Sequence, residues 1–87
     1  MEKKRDRLNI IEDILEISSK DGVIQSDIIC YANLDSKQFK SYSIYLQERH
    51  FLEKKYDGNK TTYKTTQKGH RFLESAKHIR ELLTPEK

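Results

Sequence analysis

The sequence of 87 residues is poor in cysteine, with one, and in glycine, with three. The single thiol, Cys30, cannot form an internal disulfide. We find neither a secretory signal segment nor an apolar run of about 18 residues that would cross a membrane. Three glycines leave little material for a phosphate-binding loop or a nucleophile elbow. We therefore expect a cytoplasmic chain.

Groups suited to catalysis or metal binding are also scarce. The chain has three histidines, His50, His70 and His78, and one cysteine. Their spacing matches none of the motifs that bind zinc. No pair of carboxylates lies in an apolar stretch. The sequence therefore predicts that the protein is not an enzyme, and it indicates no metal, cofactor or small-molecule ligand.

Positive charge is concentrated in the middle of the chain. The net charge is +3, but residues 36–70 carry eight basic and three acidic side chains, whereas residues 1–35 carry five basic and eight acidic ones. A basic segment of this kind is typical of a surface that binds a polyanion. Residues 1–7 are also mostly basic, and they are either a basic arm or a solvated terminus.

Four helices are predicted from apolar residues at helical spacing and from the capping residues beside them. They cover residues 6–19, 25–33, 36–49 and 67–83. The first has two adjacent apolar stripes, which indicate a wide buried face against two neighbours. On the second, Cys30 has apolar neighbours, and we therefore expect a buried, unreactive thiol.

Strand propensity is confined to two places. Val23 and Ile24 form a strand stub that needs a pairing partner elsewhere in the chain. Residues 51–56 and 61–65 are rich in strand-forming side chains, and a turn containing Gly58 separates them. This pattern predicts a β-hairpin.

The order helix, strand stub, helix, helix, hairpin, helix is that of a winged helix-turn-helix domain. In such domains the second helix of the motif enters the major groove of DNA and the hairpin is the wing. The sequence thus predicts an α+β, mostly helical fold. A winged helix domain at residues 1–65 is followed by a C-terminal dimerisation helix at residues 66–87, and both fold as one cooperative unit.

Two stretches also resemble a known family. YANLDSKQFKSYSIYLQERHFLEK, followed by YKTTQKGHRFLE, is similar to the small archaeal winged-helix DNA-binding proteins and to ArnR-like regulators. The resemblance implies DNA binding and dimerisation through a long C-terminal helix. Three positions depart from the family pattern. Ser43 stands where leucine is usual, His50 where a turn glycine is commoner, and Thr65 where isoleucine is frequent.

The outward face of the third helix is the predicted contact with double-stranded DNA. Lys37 and Lys40 are placed to neutralise phosphates, and Gln38 and Ser41 to reach base edges. Tyr45 is expected to contact a phosphate through its hydroxyl. The predicted interface is completed by Ser36 and by the wing residues Lys54, Lys55, Asn59 and Lys60.

An apolar stripe on the last helix has two interpretations, which are packing on the first helix and a coiled-coil-like seam between two subunits. The first and last helices carry more apolar surface than one small domain can bury, so we expect a homodimer. The predicted dimer residues are Ile10, Ile14 and Ile17 on the first helix, and Phe72, Ala76, Ile79 and Leu83 on the last.

Alternative functions stay open. The sequence does not separate a transcriptional regulator from a chromatin-like protein that coats DNA, and either would be associated with the nucleoid. A winged helix can also act as a protein–protein interaction module without DNA, although the basic middle segment argues against this. RNA binding would require exposed aromatic side chains, for which Tyr31, Tyr45 and Tyr56 are the candidates.

Overall fold

The structure of the protein, a computed structural model, describes residues 6–83. Most of the basic arm considered for residues 1–7 therefore lies outside the described residues. The predicted element order is confirmed, and each element ends within about two residues of its predicted limit, as is usual for helix and strand ends. The elements are α1 (Arg7–Ile17), α2 (Gln25–Ala32), α3 (Ser36–Glu48), β1 (Leu52–Asp57), β2 (Lys60–Thr65) and α4 (Gln67–Leu83).

Side-chain caps explain where the helices begin. The carboxylate of Asp6 accepts a hydrogen bond from the Asn9 N–H at 2.9 Å at the start of α1. At the start of α2 the Ile24 N–H donates to Asp27 Oδ2 at 3.1 Å. Asn33 ends α2 in the left-handed conformation with φ of 55°, which asparagine tolerates better than most residues.

The hairpin closes through a two-residue turn. Asp57 pairs with Lys60, so Gly58 and Asn59 form the turn, and Gly58 has a positive φ of 66°. Glycine at the first turn position with positive φ is typical of the type II′ turn, whose twist matches that of the flanking strands. The predicted hairpin is thus confirmed, and its register is set by the turn.

The predicted strand stub also finds its partner. Val23 forms an isolated antiparallel bridge with Tyr63, whose N–H donates to the Val23 carbonyl at 2.8 Å. A second bond runs from the Thr65 N–H to the Ser18 carbonyl at 2.9 Å. Strand β2 is therefore fastened along the connection between α1 and α2.

Helix α4 runs antiparallel to α1. Arg80 forms an ion pair with Glu12 at 2.8 Å and Lys77 with Glu16 at 3.5 Å, so later residues of α4 meet earlier residues of α1. The first half of α4 closes the core with Leu73. The other buried apolar residues are Ile11, Ile14, Leu15, Val23, Ile28, Ala32, Leu34, Phe39, Leu46, Leu52, Tyr63 and Ala76.

The three departures from the family pattern each have a structural counterpart. Buried Ser43 accepts a hydrogen bond from Gln47 Nε2 at 2.9 Å, and the Thr65 hydroxyl donates to the Leu15 carbonyl at 2.6 Å. These bonds satisfy polar groups whose burial without a hydrogen-bond partner would destabilise the fold. His50 occupies the left-handed region with φ of 63°, which is where a glycine would be unstrained.

Candidate nucleic-acid interface

The outward face of α3 is open to solvent. Lys37, Lys40 and Ser41 are exposed, and 47% of Ile44 is exposed beside them. Neither lysine forms an ion pair with a carboxylate of residues 6–83. Their ammonium groups are available to an external anion. Ile44 offers an apolar side chain of the kind that contacts the methyl group of thymine. Ile44 was not among the predicted contact residues.

The structure gives Gln38 a role other than base contact. Its Oε1 accepts a hydrogen bond from the Asp35 N–H at 3.1 Å, and its own N–H donates to Asp35 Oδ1 at 2.8 Å. This reciprocal pair is a capping box. A bidentate contact with adenine uses both the oxygen and the nitrogen of the amide, so Gln38 would have to leave the cap to make it.

A cavity of about 380 Å³ lies on the side of α3 that faces the hairpin. Ser36 and Lys40 of α3 line it together with Lys54 of β1, so three of the predicted contact residues meet there. Phe39 and Tyr63, packed edge to face at 5.4 Å, lie at its apolar side. This arrangement places two cationic side chains around one concave surface.

The predicted hairpin lysines do not all share that surface. Side chains alternate along a strand, and Lys54 pairs with Tyr63, whereas Lys55 pairs with Thr62. Lys54 therefore projects from the face shared with Tyr63 and α3, with its ammonium 5.6 Å from the ring of Tyr56. Lys55 and Lys60 project from the opposite face, and exposed Asn59 occupies the turn between the strands.

Similarity to known proteins agrees with this architecture. The winged helix-turn-helix family matches residues 4–84 of the chain. The chain belongs to this family. The resemblance to small archaeal winged-helix proteins and the predicted fold class are thereby confirmed.

Two individual proteins are similar to this winged helix. An uncharacterised protein of Methanocaldococcus jannaschii, MJ0290, is 36% identical over 84 residues, which cover 97% of this chain and 38% of that protein. The chain thus spans well under half the length of that relative. The crystal structure of Sso10a-2, a DNA-binding protein from Sulfolobus solfataricus, superimposes with a TM-score of 0.67 at 23% identity and covers 94% of this chain and 100% of that one. This second likeness is one of fold.

One lysine of the wing is occupied within the domain. Lys64 Nζ forms an ion pair with Asp21 at 2.6 Å and donates to the Ser19 carbonyl at 3.1 Å. The bond and the charge of Lys64 lower the pKa of the Asp21 carboxyl, and nearby Lys55 lowers it further. Lys64 therefore fastens the wing to the loop after α1, and the basic middle segment presents less charge to a partner than the sequence count suggests.

Tyr45 lies on the flank of α3 that faces the start of α1. Its ring is half-buried, with the guanidinium carbon of Arg49 3.9 Å and that of Arg7 5.5 Å from the ring centroid. Neither arginine was among the predicted contact residues. A tyrosine followed four residues later by an arginine on one helix signals such a contact, but nothing in the sequence indicates that Arg7 joins it.

The residues predicted for a dimer seam separate into three groups by their burial. Ile14 and Ala76 are 0% and 5% exposed within the protomer, so these two side chains belong to its own core. Phe72 is half-buried against Phe51 with ring centroids 5.0 Å apart, and Ile10 and Ile17 are half-buried on α1. The exposed members of the predicted seam, Ile79 and Leu83, are in the second half of α4 and are 53% and 76% exposed. Leu82, which was not among the predicted seam residues, lies beside them and is 71% exposed.

The expectation of a buried thiol at Cys30 is wrong. Helix α2 buries Ile28 and Ala32, which lie one turn apart on the same face, and Cys30 points away from that face. The thiol is exposed and lines a cavity with Tyr31 and Ile17.

Among residues 6–83, no helix is long and apolar enough to cross a membrane.

Proposed function

We propose that the chain is a non-enzymatic protein that binds double-stranded DNA, with α3 in the major groove and the wing against the backbone. The observation that carries this proposal is the exposed outer face of α3, where Lys37 and Lys40 have no carboxylate partner among the described residues and Lys54 approaches from the wing. Lysines placed in this way supply affinity for phosphates. The DNA-binding description of the structurally similar Sso10a-2 supports the same function.

Weak sequence preference fits this face best. Gln38 is engaged in the capping box, which leaves Ser41 and Ile44 as the side chains best placed for base edges. A serine hydroxyl serves several bases and an isoleucine distinguishes only a methyl group, so both discriminate less than an amide. We therefore favour a chromatin-like protein associated with the nucleoid over a regulator of a few defined sites.

We also propose that the protein acts as a homodimer joined along the second half of α4. Ile79, Leu82 and Leu83 form an exposed apolar surface at the end of this helix, and the antiparallel packing brings partly exposed Leu8 of α1 to the same end. Such a surface at the end of an otherwise closed core is typical of a subunit interface. In this arrangement residues 6–65 are the winged helix domain and α4 joins two such domains.

The test is a titration of duplexes by fluorescence anisotropy at several salt concentrations. One duplex has a random sequence, one is rich in A·T pairs and one is rich in G·C pairs. We expect binding to all three with similar affinity and a steep fall with salt, because phosphate contacts release counterions. Absence of binding at the lowest salt would exclude the function and favour the protein-interaction module. A difference of about a thousandfold between duplexes would instead indicate a site-specific regulator.

A further inference from the structure

Two arginines and a tyrosine form a cluster at the junction of α1 and α3. Arg49 lies over the ring of Tyr45 at 3.9 Å, and Arg7 lies 5.5 Å from the same ring and 5.9 Å from that of Tyr42. A cavity of about 280 Å³ opens beside the cluster and is lined by Arg7, Ser41, Tyr42 and Tyr45. The lining therefore combines a guanidinium with three hydroxyl groups and includes no carboxylate.

The cluster lies on the side of α3 away from the wing. Successive helix residues are 100° apart, which places Tyr45 and Arg49 on one side of the outer face and Ser43 and Gln47 on the other. The side with Ser43 and Gln47 borders the cavity that Lys54 of the wing lines. The exposed face with Lys37 and Ser41 thus runs between two concave surfaces, one next to the wing and one next to the start of α1.

Local carboxylates do not neutralise the two arginines. Among residues 6–83, the ion pairs join Lys64, Lys77 and Arg80 to acidic partners, and none involves Arg7 or Arg49. The nearest acidic residue in sequence to Arg7 is Asp6, and its carboxylate accepts the N–H of Asn9 instead. The positive charge of the cluster is therefore available to a partner.

Contact with an aromatic ring prepares a guanidinium for an anion. The group lies against the ring through its flat face, while its N–H donors project in its own plane and stay free. Ring contact also restricts a flexible side chain before binding, so less conformational entropy is lost when a phosphate is bound. Arginine pairs with phosphate oxygens in a bidentate geometry, which a preorganised guanidinium favours.

We propose that Arg7, Tyr45 and Arg49 form a phosphate clamp that holds the DNA strand opposite to the one contacted by the wing. A helix lying in the major groove has one phosphate backbone on each side. The wing with Lys54 meets one of them, and the clamp meets the other. This inference rests on the proposed DNA binding and adds to it the residues that fix the second side of the recognition helix.

The experiment compares Arg7→Gln, Arg49→Gln and the double variant with Arg71→Gln. Arg71 is an exposed arginine on α4, so its substitution changes the net charge as much as either single clamp substitution without touching the clamp. Affinity for a random-sequence duplex is measured by anisotropy between 50 and 200 mM salt. We expect each single clamp variant to lose about five- to tenfold in affinity at 100 mM salt and to lower the slope of log K against log salt by about 0.9, and the double variant to lower that slope by about 1.8. The control should match the unaltered protein in slope.

Two further measurements separate the possible failures. Arg49→Lys should retain the full salt slope because the positive charge remains, and thermal unfolding should show that every variant is folded at the assay temperature. If the unaltered protein binds DNA and folded clamp variants keep its slope and affinity, the clamp is excluded while the proposed function stands. If the unaltered protein binds no duplex at low salt, the proposed function itself fails.

Discussion

The side chains of Asp35 and Gln38 each accept a hydrogen bond from the other's backbone N–H, at 2.8 and 3.1 Å. The pair satisfies N–H groups at the start of α3 that have no partner within the helix. It also fixes the direction in which Gln38 points, which is back over the first turn. A residue that the sequence offers for contact with DNA is thus used to build α3, the helix that we propose to contact DNA.

Replacing Gln38 separates the two roles. We expect Gln38→Ala to lower the free energy of unfolding by about 0.5–1 kcal/mol, because the Asp35 N–H loses its acceptor. Its affinity for mixed-sequence DNA should change by less than about threefold, since no phosphate contact is lost. Gln38→Glu is the matched variant, because it retains the cap but adds a negative charge, and it should keep stability while weakening DNA binding. Urea unfolding and anisotropy measure both quantities. A Gln38→Ala protein of normal stability that no longer distinguishes A·T-rich from G·C-rich duplexes would assign base contact to Gln38.

Removing Lys37 and Lys40 together tests the placement of α3 in the groove. Both side chains are exposed, so the double alanine variant should fold normally. Loss of two phosphate contacts should lower the slope of log K against log salt by about 1.8 and weaken binding to every duplex alike. The control is Lys20→Ala with Lys77→Ala, which changes the net charge equally at positions outside the interface. Equal effects of both double variants would show that net charge alone governs binding.

The dimer proposal is tested at the exposed half of α4. Ile79→Glu places a charge in the proposed seam, and burying an unpaired charge there is unfavourable, so sedimentation should show monomers at concentrations where the unaltered protein is dimeric. Lys77→Gln is the control on the same helix, because it changes the net charge equally at a position about 160° around the helix from Ile79. It removes only an exposed ion pair with Glu16 and should leave the association unchanged. Because 53% of Ile79 is exposed in the protomer, we expect the fold of the monomer to survive. Dimers that persist in Ile79→Glu would move the interface elsewhere.

At Gly69 we expect a glycine-to-alanine substitution to lower the stability of the protein, the reverse of its usual effect in a helix. Alanine normally stabilises a helix interior relative to glycine by about 1 kcal/mol. Here an added Cβ would lie 2.3 Å from the Phe51 carbonyl oxygen and 2.7 Å from Thr65 Cγ2, so the helix must shift away from the wing. We expect Gly69→Ala to destabilise the protein by about 1–3 kcal/mol in urea unfolding. Ser75→Ala, at an exposed position of the same helix, should be neutral or slightly stabilising. A stabilised Gly69→Ala protein would show that α4 packs less closely on Phe51.

Much of the fold follows from local signals in the sequence. Helix ends are marked by residues such as Asp35 and Asn33, whose short polar side chains cap or tolerate particular backbone conformations. The hairpin follows from strand-forming residues on either side of Gly58. These features depend on neighbours within a few positions, which is why their limits agree closely with the structure.

The site was less predictable because its residues acquire their roles from distant partners. Lys55 and Lys60 leave the face of Lys54 because the hairpin register alternates side chains between two faces. Cys30 is exposed because a two-turn helix buries only the stripe that contains Ile28. Periodicity identified an apolar stripe on α4. It did not show at which residue of the stripe burial in the core of the protomer ends and exposure to solvent begins.

The sequence alone determined the order of elements, the caps of the helices and the concentration of positive charge in residues 36–70, since these depend on residue type and short-range spacing. Only the tertiary structure decided which of those charges remain available. It joins Lys64 to Asp21 across 43 positions and brings Arg7 to the ring of Tyr45 from another helix. Electrostatic and ring contacts depend on distance in space, and the packing of α1, α3 and the wing sets that distance.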